Sequence, residues 1–333
     1  MIDTTAPLAP SAARQVSAAT LLRRVVQGGG MILFIYLALY AYYGAIEPRA
    51  LRAHSIADLM NNTVPLALAA AGLTFVVLNR GFDLSVAGVI SICNVTLAVA
   101  PLEGPGGAAL SALMCLAIGA TVGLVNGLLV GYARLQSIAA TLATMIICQG
   151  IALVILRAPG GFVSEWIVYE MTDRLWGVIP VSGLVVAAVL LVWILIRRTD
   201  FGVSIYAVGA DEQAAAMSGI NVRRVRAGAY VCAGMLYGLA GFMLSAQTAT
   251  GNPNSGAPLL LLAFAAVALG GTSLAGGRGG VFASIMGAAT LMLLQKVLFS
   301  SGISSFYTGM FQGSVLILAV VFSGLIARIG ERK

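Results

Sequence analysis

The sequence has 333 residues, 59% of them hydrophobic and 9% charged, and its mean hydropathy is +0.97. Soluble domains carry about 25% charged residues, so a water-soluble globule of this length is excluded. The formal charge of +7 comes from basic residues set singly or in short groups between apolar runs; this pattern fits the positive loops of a membrane protein and argues against a nucleic-acid partner.

Residues 1–27 hold Asp3, Arg14, Arg23 and Arg24 but no isolated apolar core ending in a small-residue cleavage site, so a cytoplasmic tail is expected rather than a signal peptide. Beyond it, a helix needs roughly 20 apolar residues to cross about 30 Å of hydrocarbon, since every backbone group must be bonded within the segment. Windows free of Asp, Glu, Lys and Arg run 25–46, 59–79, 84–102, 104–133, 135–156, 175–196, 227–277, 279–295 and 297–327. The window 227–277 is too long for one span and is cut by GNPNSGAP at 251–258, so nine windows predict ten spans. The predicted fold is an all-α polytopic membrane protein with one transmembrane domain over 28–328 and a C-terminal tail at 329–333.

An even number of spans places both termini on one side. With the termini inside, 14 of the 19 basic residues face inward: Arg14, Arg23, Arg24, Arg80, Arg134, Arg197, Arg198, Arg223, Arg224, Arg226, Arg278, Arg328, Arg332 and Lys333. Both termini and the segment 199–226 are therefore predicted to be cytoplasmic. Five spans precede the outer segment 157–180 and five follow it, so a tandem five-span repeat would be inverted in its second copy. No residue-level repeat is visible, which leaves the inversion a topological expectation. The outer segment carries Glu165, Glu170 and Asp173 with Trp166, Tyr169 and Trp176, the composition of an interfacial belt or of a helix offered to an outside partner.

Gly119, Gly123, Gly127 and Gly131 lie four apart in the fourth window, a stripe that lets a second helix approach closely. In NRGFDLSVAG, 79–88, Asp83 is expected at the cytoplasmic mouth of the third span, held by backbone N–H groups at the helix start. A role in the solute path is the alternative for Asp83 and Ser85. Other polar side chains within spans, Asn61, Asn62, Asn126, Thr141, Thr144 and Gln149, are candidates for the same path, with helix-to-helix contact as the competing role. LGGTSLAGGRGG, 269–280, predicts a tight glycine turn on the inner side. The dipeptide Gly-Lys occurs nowhere, which excludes a phosphate loop in this chain. Cys93, Cys115, Cys148 and Cys232 sit singly in apolar runs and read as buried thiols, with no metal site. An intramembrane serine hydrolase at Gly271 to Leu274 would need a base, and the only histidine, His54, lies in a distant outer loop. Within 199–226, the run from Asp211 to Ser218 is alanine-rich, begins with two acids and is followed by Gly219, which are helix start and stop signals. So short a helix needs a docking surface to form.

These residues resemble the permease subunits of monosaccharide ATP-binding-cassette importers, of the ribose, xylose and galactose type, within a wider group that includes branched-chain amino acid permeases. The resemblance rests on AGLTFVVL at 71–78, RGFDLSVAG at 80–88, TLATM at 141–145, FGVSIYAVGADEQAAAMSGI at 201–220 and AAVALGGTSLAGGRG at 265–279. It implies a ten-span permease of the bacterial inner membrane, paired with a second copy or a homologous permease. Two ATPase subunits that hold ATP and magnesium would lie inside, and a periplasmic solute-binding protein outside. It also implies that Gly209, Asp211, Glu212, Ala214, Ala215, Ser218 and Gly219 belong to a coupling helix that docks on the ATPase. Arg80 replaces a family glycine, Val203 a common arginine, Ala210 and Asp211 a Gly-Asn pair, and Leu260, Leu261 and Leu262 an acidic stretch. The last departure leaves the solute open among sugars and polyols. Permeation of branched-chain amino acids or nucleosides, or of a solute through an ATP-independent channel or carrier, are the alternatives.

Overall fold

The computed structural model describes residues 29–303 and the positions 307, 309, 310, 313, 314 and 317. The predicted tails 1–27 and 329–333 and most of the window 297–327 lie outside the described residues. The helices are α1 Gly30–Ile46, α2 Ala53–Leu78, α3 Val86–Val99, α4 Gly104–Gly127 with a π turn Leu128–Tyr132, α5 Ser137–Ile155, α6 Glu165–Thr172, α7 Val181–Arg197, α8 Asp200–Ala210, α9 Glu212–Met217, α10 Val222–Thr248, α11 Ala257–Leu269 and α12 Val281–Ser300. Between α6 and α7 a two-residue hairpin pairs β1 Arg174–Leu175 with β2 Ile179–Pro180.

Among the described residues, α2, α4 with its π turn, α5, α10 and α12 are each long and apolar enough to cross a membrane; α7 and α8 add a sixth span if taken together across their 78° bend. The chain is a multi-pass membrane protein. Every window from 25–46 to 279–295 holds an apolar helix, but two of these helices are short. In 84–102 the helix α3 has 14 residues, and in the latter part of 227–277 the helix α11 has 13. At 1.5 Å rise each is only about 20 Å long, and each is entered by irregular chain, 79–85 and 249–256, that runs through the interior of the bundle.

The centre is built by α2 and α10, which pack on each other and gather α3, α4, α11 and α12 around them. From Thr63 to Leu78 every residue of α2 is buried. Its sequence is apolar on all sides and rich in alanine, so neighbours can close on every face. Against α10 the glycines of α4 make the closest approach. A Cβ on Gly119 would lie 1.9 Å from the carbonyl oxygen of Gly234, and one on Gly123 2.3 Å from that of Tyr230. Gly127 and Gly131 continue the seam against Ala227 and Arg223. The outer faces of α4 and α5 expose Leu110, Leu113, Ile146, Ile147 and Val154, as helices surrounded by lipid do.

Candidate functional site

One end of the bundle is basic and carries the segment between α7 and α10. Thr199 caps α8, its hydroxyl oxygen accepting from the Gly202 N–H at 3.3 Å. Asp211 caps α9 through the N–H groups of Gln213 and Ala214 at 2.9 and 3.0 Å. Asn221 caps α10 through the Arg224 N–H at 3.1 Å. Gly219, at φ +84°, closes α9: its N–H donates to Ala216 and that of Ile220 to Ala215, the glycine-terminated helix end. The six-residue α9 is thus held by caps at both ends and by Ala215, which is buried.

The predicted coupling residues therefore divide. Asp211, Glu212, Ala214, Ser218 and Gly219 are exposed, as is Met217 at 84%. Glu212 pairs with Arg226 at 2.6 Å. Gly209 instead lies inside, where a Cβ would fall 1.8 Å from the Leu78 carbonyl oxygen and 2.6 Å from the Gly277 nitrogen. It fixes where α8 meets the end of α2. Beside α9 a cleft of about 1050 Å³ is lined by Asn79, Arg80, Arg134, Asp211, Arg223 and Arg226, among others.

The end of α2 repeats the geometry that closes α9, with one difference. Gly81 donates to Val76 at 3.0 Å and Arg80 to Val77 at 2.9 Å, so Arg80 occupies the left-handed position usually taken by glycine, at φ +59°. That conformation costs a side-chain-bearing residue about 1 kcal/mol. The guanidinium is in turn held at two points: Nε donates to the Gly209 carbonyl at 2.7 Å and Nη2 to that of Ala210.

From Arg80 the chain turns back into the bundle, and Asp83 lies well inside, not at a mouth. It is fully buried, beside Tyr237, whose ring packs on Gly72. Gly72 is six residues from the end of α2, which is about 9 Å along the helix. The expected contact with backbone N–H groups is there in part, since Asp83 Oδ1 accepts from the Ser85 N–H at 2.9 Å and the Ser85 hydroxyl at 2.6 Å. Asn126 donates to Ser85 Oγ at 3.0 Å, and the Thr144 hydroxyl donates to Asn126 Oδ1 at 2.8 Å. Thr141 Oγ1 accepts the Leu84 N–H at 3.1 Å. Five predicted path residues, from α4, α5 and the 79–85 stretch, are thereby brought into one knot that α10 closes with Tyr237. Burial in an apolar surrounding drives such groups to satisfy one another, yet Asp83 Oδ2 and the Tyr237 hydroxyl are left without a hydrogen-bond partner.

The remaining three are elsewhere. Asn61 donates to the Thr172 carbonyl at 2.8 Å and accepts from the Ser182 hydroxyl at 2.6 Å, while Asn62 accepts from Gln247. Both line a cleft of about 630 Å³ at the opposite end, with His54, Asp58, Asp173 and Arg174. Gln149 reaches from α5 to the Pro253 carbonyl at 2.5 Å and to Asn254 Oδ1 at 2.8 Å. At that same end Glu103 accepts from the Ser164 hydroxyl at 2.7 Å, and this bond, with the N–H groups of Trp166 and Glu165, holds its carboxyl below the ordinary carboxylate range.

Sequence reasoning missed a second inward stretch. After α10, Gly251 pairs with Gly160, the Asn252 N–H donates to Asn94 Oδ1 at 2.7 Å, and the Gly256 N–H donates to Ser91 Oγ at 3.1 Å. The stretch read as a simple turn therefore descends alongside α3. At its foot a Cβ on Gly256 would lie 2.0 Å from the Ala87 carbonyl oxygen, so the starts of α3 and α11 meet inside the bundle. Ser91 and Asn94, polar residues within an apolar window, carried the available signal. The Gly271 to Leu274 motif and His54 are at opposite ends, and the Thr272 and Ser284 hydroxyls, 3.2 Å apart, form a packing contact with Thr74. The four cysteines are free, and no group of side chains among the described residues could hold a metal ion.

The profile of the family described as branched-chain amino acid transport system / permease component matches residues 55–320. The chain is 32% identical over 295 residues to a ribose import permease protein of Escherichia coli K12, covering 87% of this chain and 91% of the relative. It is 35% identical over 300 residues to the ribose import permease protein of Bacillus subtilis 168, covering 89% and 92%. Against an autoinducer 2 import system permease protein of Yersinia enterocolitica the identity is 32% over 308 residues, covering 91% and 84%. No solved structure matches.

Proposed function

Since the chain belongs to the family of branched-chain amino acid transport system permease components, we propose that it is the membrane-embedded permease of an ATP-driven importer for a monosaccharide or related polyol. The observation that carries this reading is identity of 32 to 35% along most of the chain to permease proteins named for the import of ribose and of autoinducer 2. The family description alone would favour branched-chain amino acids; the named relatives favour the sugar.

In this reading the chain lies in the bacterial inner membrane with ten spans, and the basic end, like both termini, is cytoplasmic. Paired helix lengths support two inverted halves: 17 residues in α1 and α7, 26 and 27 in α2 and α10, 14 and 13 in α3 and α11. The exposed side of α9 docks on a partner ATPase that holds ATP and magnesium. A solute-binding protein delivers at the opposite end, and a second permease, identical or homologous, completes the path. Closure of the ATPase pair then displaces α9, and the two clefts open in turn. In this chain the work of the side chains is mechanical and selective, and ATP chemistry belongs to the partner.

The test is co-purification of the tagged chain with the products of its neighbouring genes, followed by ATP hydrolysis and uptake of radiolabelled ribose or leucine. Glu212→Arg and Ala215→Trp are expected to release or uncouple the ATPase, with ribose taken up in preference to leucine. A chain that purifies alone and moves either solute without ATP would establish a channel or carrier instead.

A further inference from the structure

We infer that Arg80 is a positioning residue that ties displacement of α9 to the buried stretch carrying Asp83, an inference that rests on the importer reading above. Three observations converge on it. First, Arg80 holds a left-handed backbone position, φ +59°, at a helix end where α9 itself uses Gly219. An arginine kept where glycine fits without strain points to a task for its side chain.

Second, that side chain reaches the carbonyl ends of α8. Its bonds to Gly209 and Ala210 place a fixed positive charge at a helix C-terminus, on the two residues immediately before Asp211, the N-cap of α9. Third, the surroundings leave it little room to slide. A Cβ on Gly276 would lie 2.4 Å from Arg80 Cγ, and Gly277 bonds the Leu78 carbonyl at 3.0 Å while its own Cβ position is 2.8 Å from the Ala210 nitrogen. Arg80 is therefore flanked by the end of α2, the end of α8 and the glycine turn before α12, with its remaining side open to the cleft.

On its other side the backbone continues through Gly81 and Phe82 to Asp83. Four of the five amides along this stretch are fastened: Gly81 to Val76, Phe82 to Ser137 Oγ, Leu84 to Thr141 Oγ1 and Ser85 to Asp83. A pull on the α8 carbonyls thus passes through the guanidinium to a chain fastened at four amides, and reaches the knot at the start of α3. Without the guanidinium, α9 can shift while 79–85 stays in place.

Amide hydrogen exchange on the purified full chain in lipid nanodiscs tests this without any partner. Asp211→Ala removes the α9 cap; in the otherwise unaltered chain, exchange at residues 81–85 is expected to rise about fivefold, the factor that accompanies loss of an N-cap. Arg80→Gly keeps the helix end, since glycine suits it, so the melting temperature should hold or rise. In that background Asp211→Ala should leave exchange at 81–85 unchanged. Arg80→Lys, which keeps the charge but not the two-pronged grip, should restore part of the response. An equal rise in the Arg80→Gly background, or no rise in any background, overturns the inference. Failure of an ATPase to co-purify overturns the importer reading and leaves the exchange result standing, so the two failures are distinct.

Discussion

The two inward stretches, 79–85 and 249–256, have the same geometry and opposite chemistry. Each follows a long central helix, α2 or α10, that ends in a side-chain-bearing residue at positive φ, Arg80 or Ala249. Each returns into the bundle and starts a short helix, α3 or α11, and those starts touch at Ala87 and Gly256. The first, however, carries an arginine and a carboxylate and is fastened to α4, α5 and α8. The second is uncharged and is fastened to α3 through Ser91 and Asn94. Chain that is not helical must bond its backbone polar groups to something inside the bundle. Both stretches do so with side chains of neighbouring helices, but only the first is linked to the basic end.

The contact shared by both stretches should be the most sensitive point. Gly256→Leu drives a side chain into the Ala87 carbonyl and is expected to cost about 3 kcal/mol or more, read as loss of folded protein in detergent. Survival with an unchanged melting temperature would mean that the two helix starts are not in contact. Next comes the charged stretch: Asp83→Ala strips the Ser85 N–H and hydroxyl of their acceptor and should cost about 3 kcal/mol by thermal unfolding. For the neutral stretch, Asn94→Ala removes bonds to Ser245, Thr250 and Asn252 and should cost about 2 kcal/mol. Asp83→Ala should also raise amide exchange across 79–85, whereas Asn94→Ala should raise it across 249–256. Exchange that spreads equally through both would show that they open as one unit.

The smallest expected effect is at the opposite end, on the flank of the neutral stretch. The folded state holds the Glu103 carboxyl below its ordinary 4.5. Its contribution is therefore present above that value and is lost as the pH falls through the depressed one. Tryptophan fluorescence, with Trp166 in the first turn of α6, should report loosening of α6 only in acid. Glu103→Gln should remove that dependence.

What could be read in advance followed from local chemistry. Nine apolar windows, all but the last largely within the described residues, located the apolar helices because each helix in lipid must bond its own backbone. The run from Asp211 to Gly219 marked α9 to within a residue at each end, because its signals are a cap, a propensity and a stop, all of short range. The glycine spacing from Gly119 to Gly131 announced a close seam but not its partner. Asp83 was expected at a mouth because a lone carboxylate is costly inside the membrane; Ser85 instead offsets part of that cost at Oδ1, within a knot assembled from α4, α5 and α10.

Charge, hydropathy and short motifs by themselves determined that this chain crosses the membrane many times, where its apolar helices lie, and which segment carries the short capped helix α9. Tertiary structure decided that two of these helices are short and begin inside the bundle. It also decided which polar residues share one site, and that Arg80 grips the end of α8. Those outcomes depend on which polar groups find partners across 41 to 165 residues of chain, and no local pattern of residues encodes pairings at that separation.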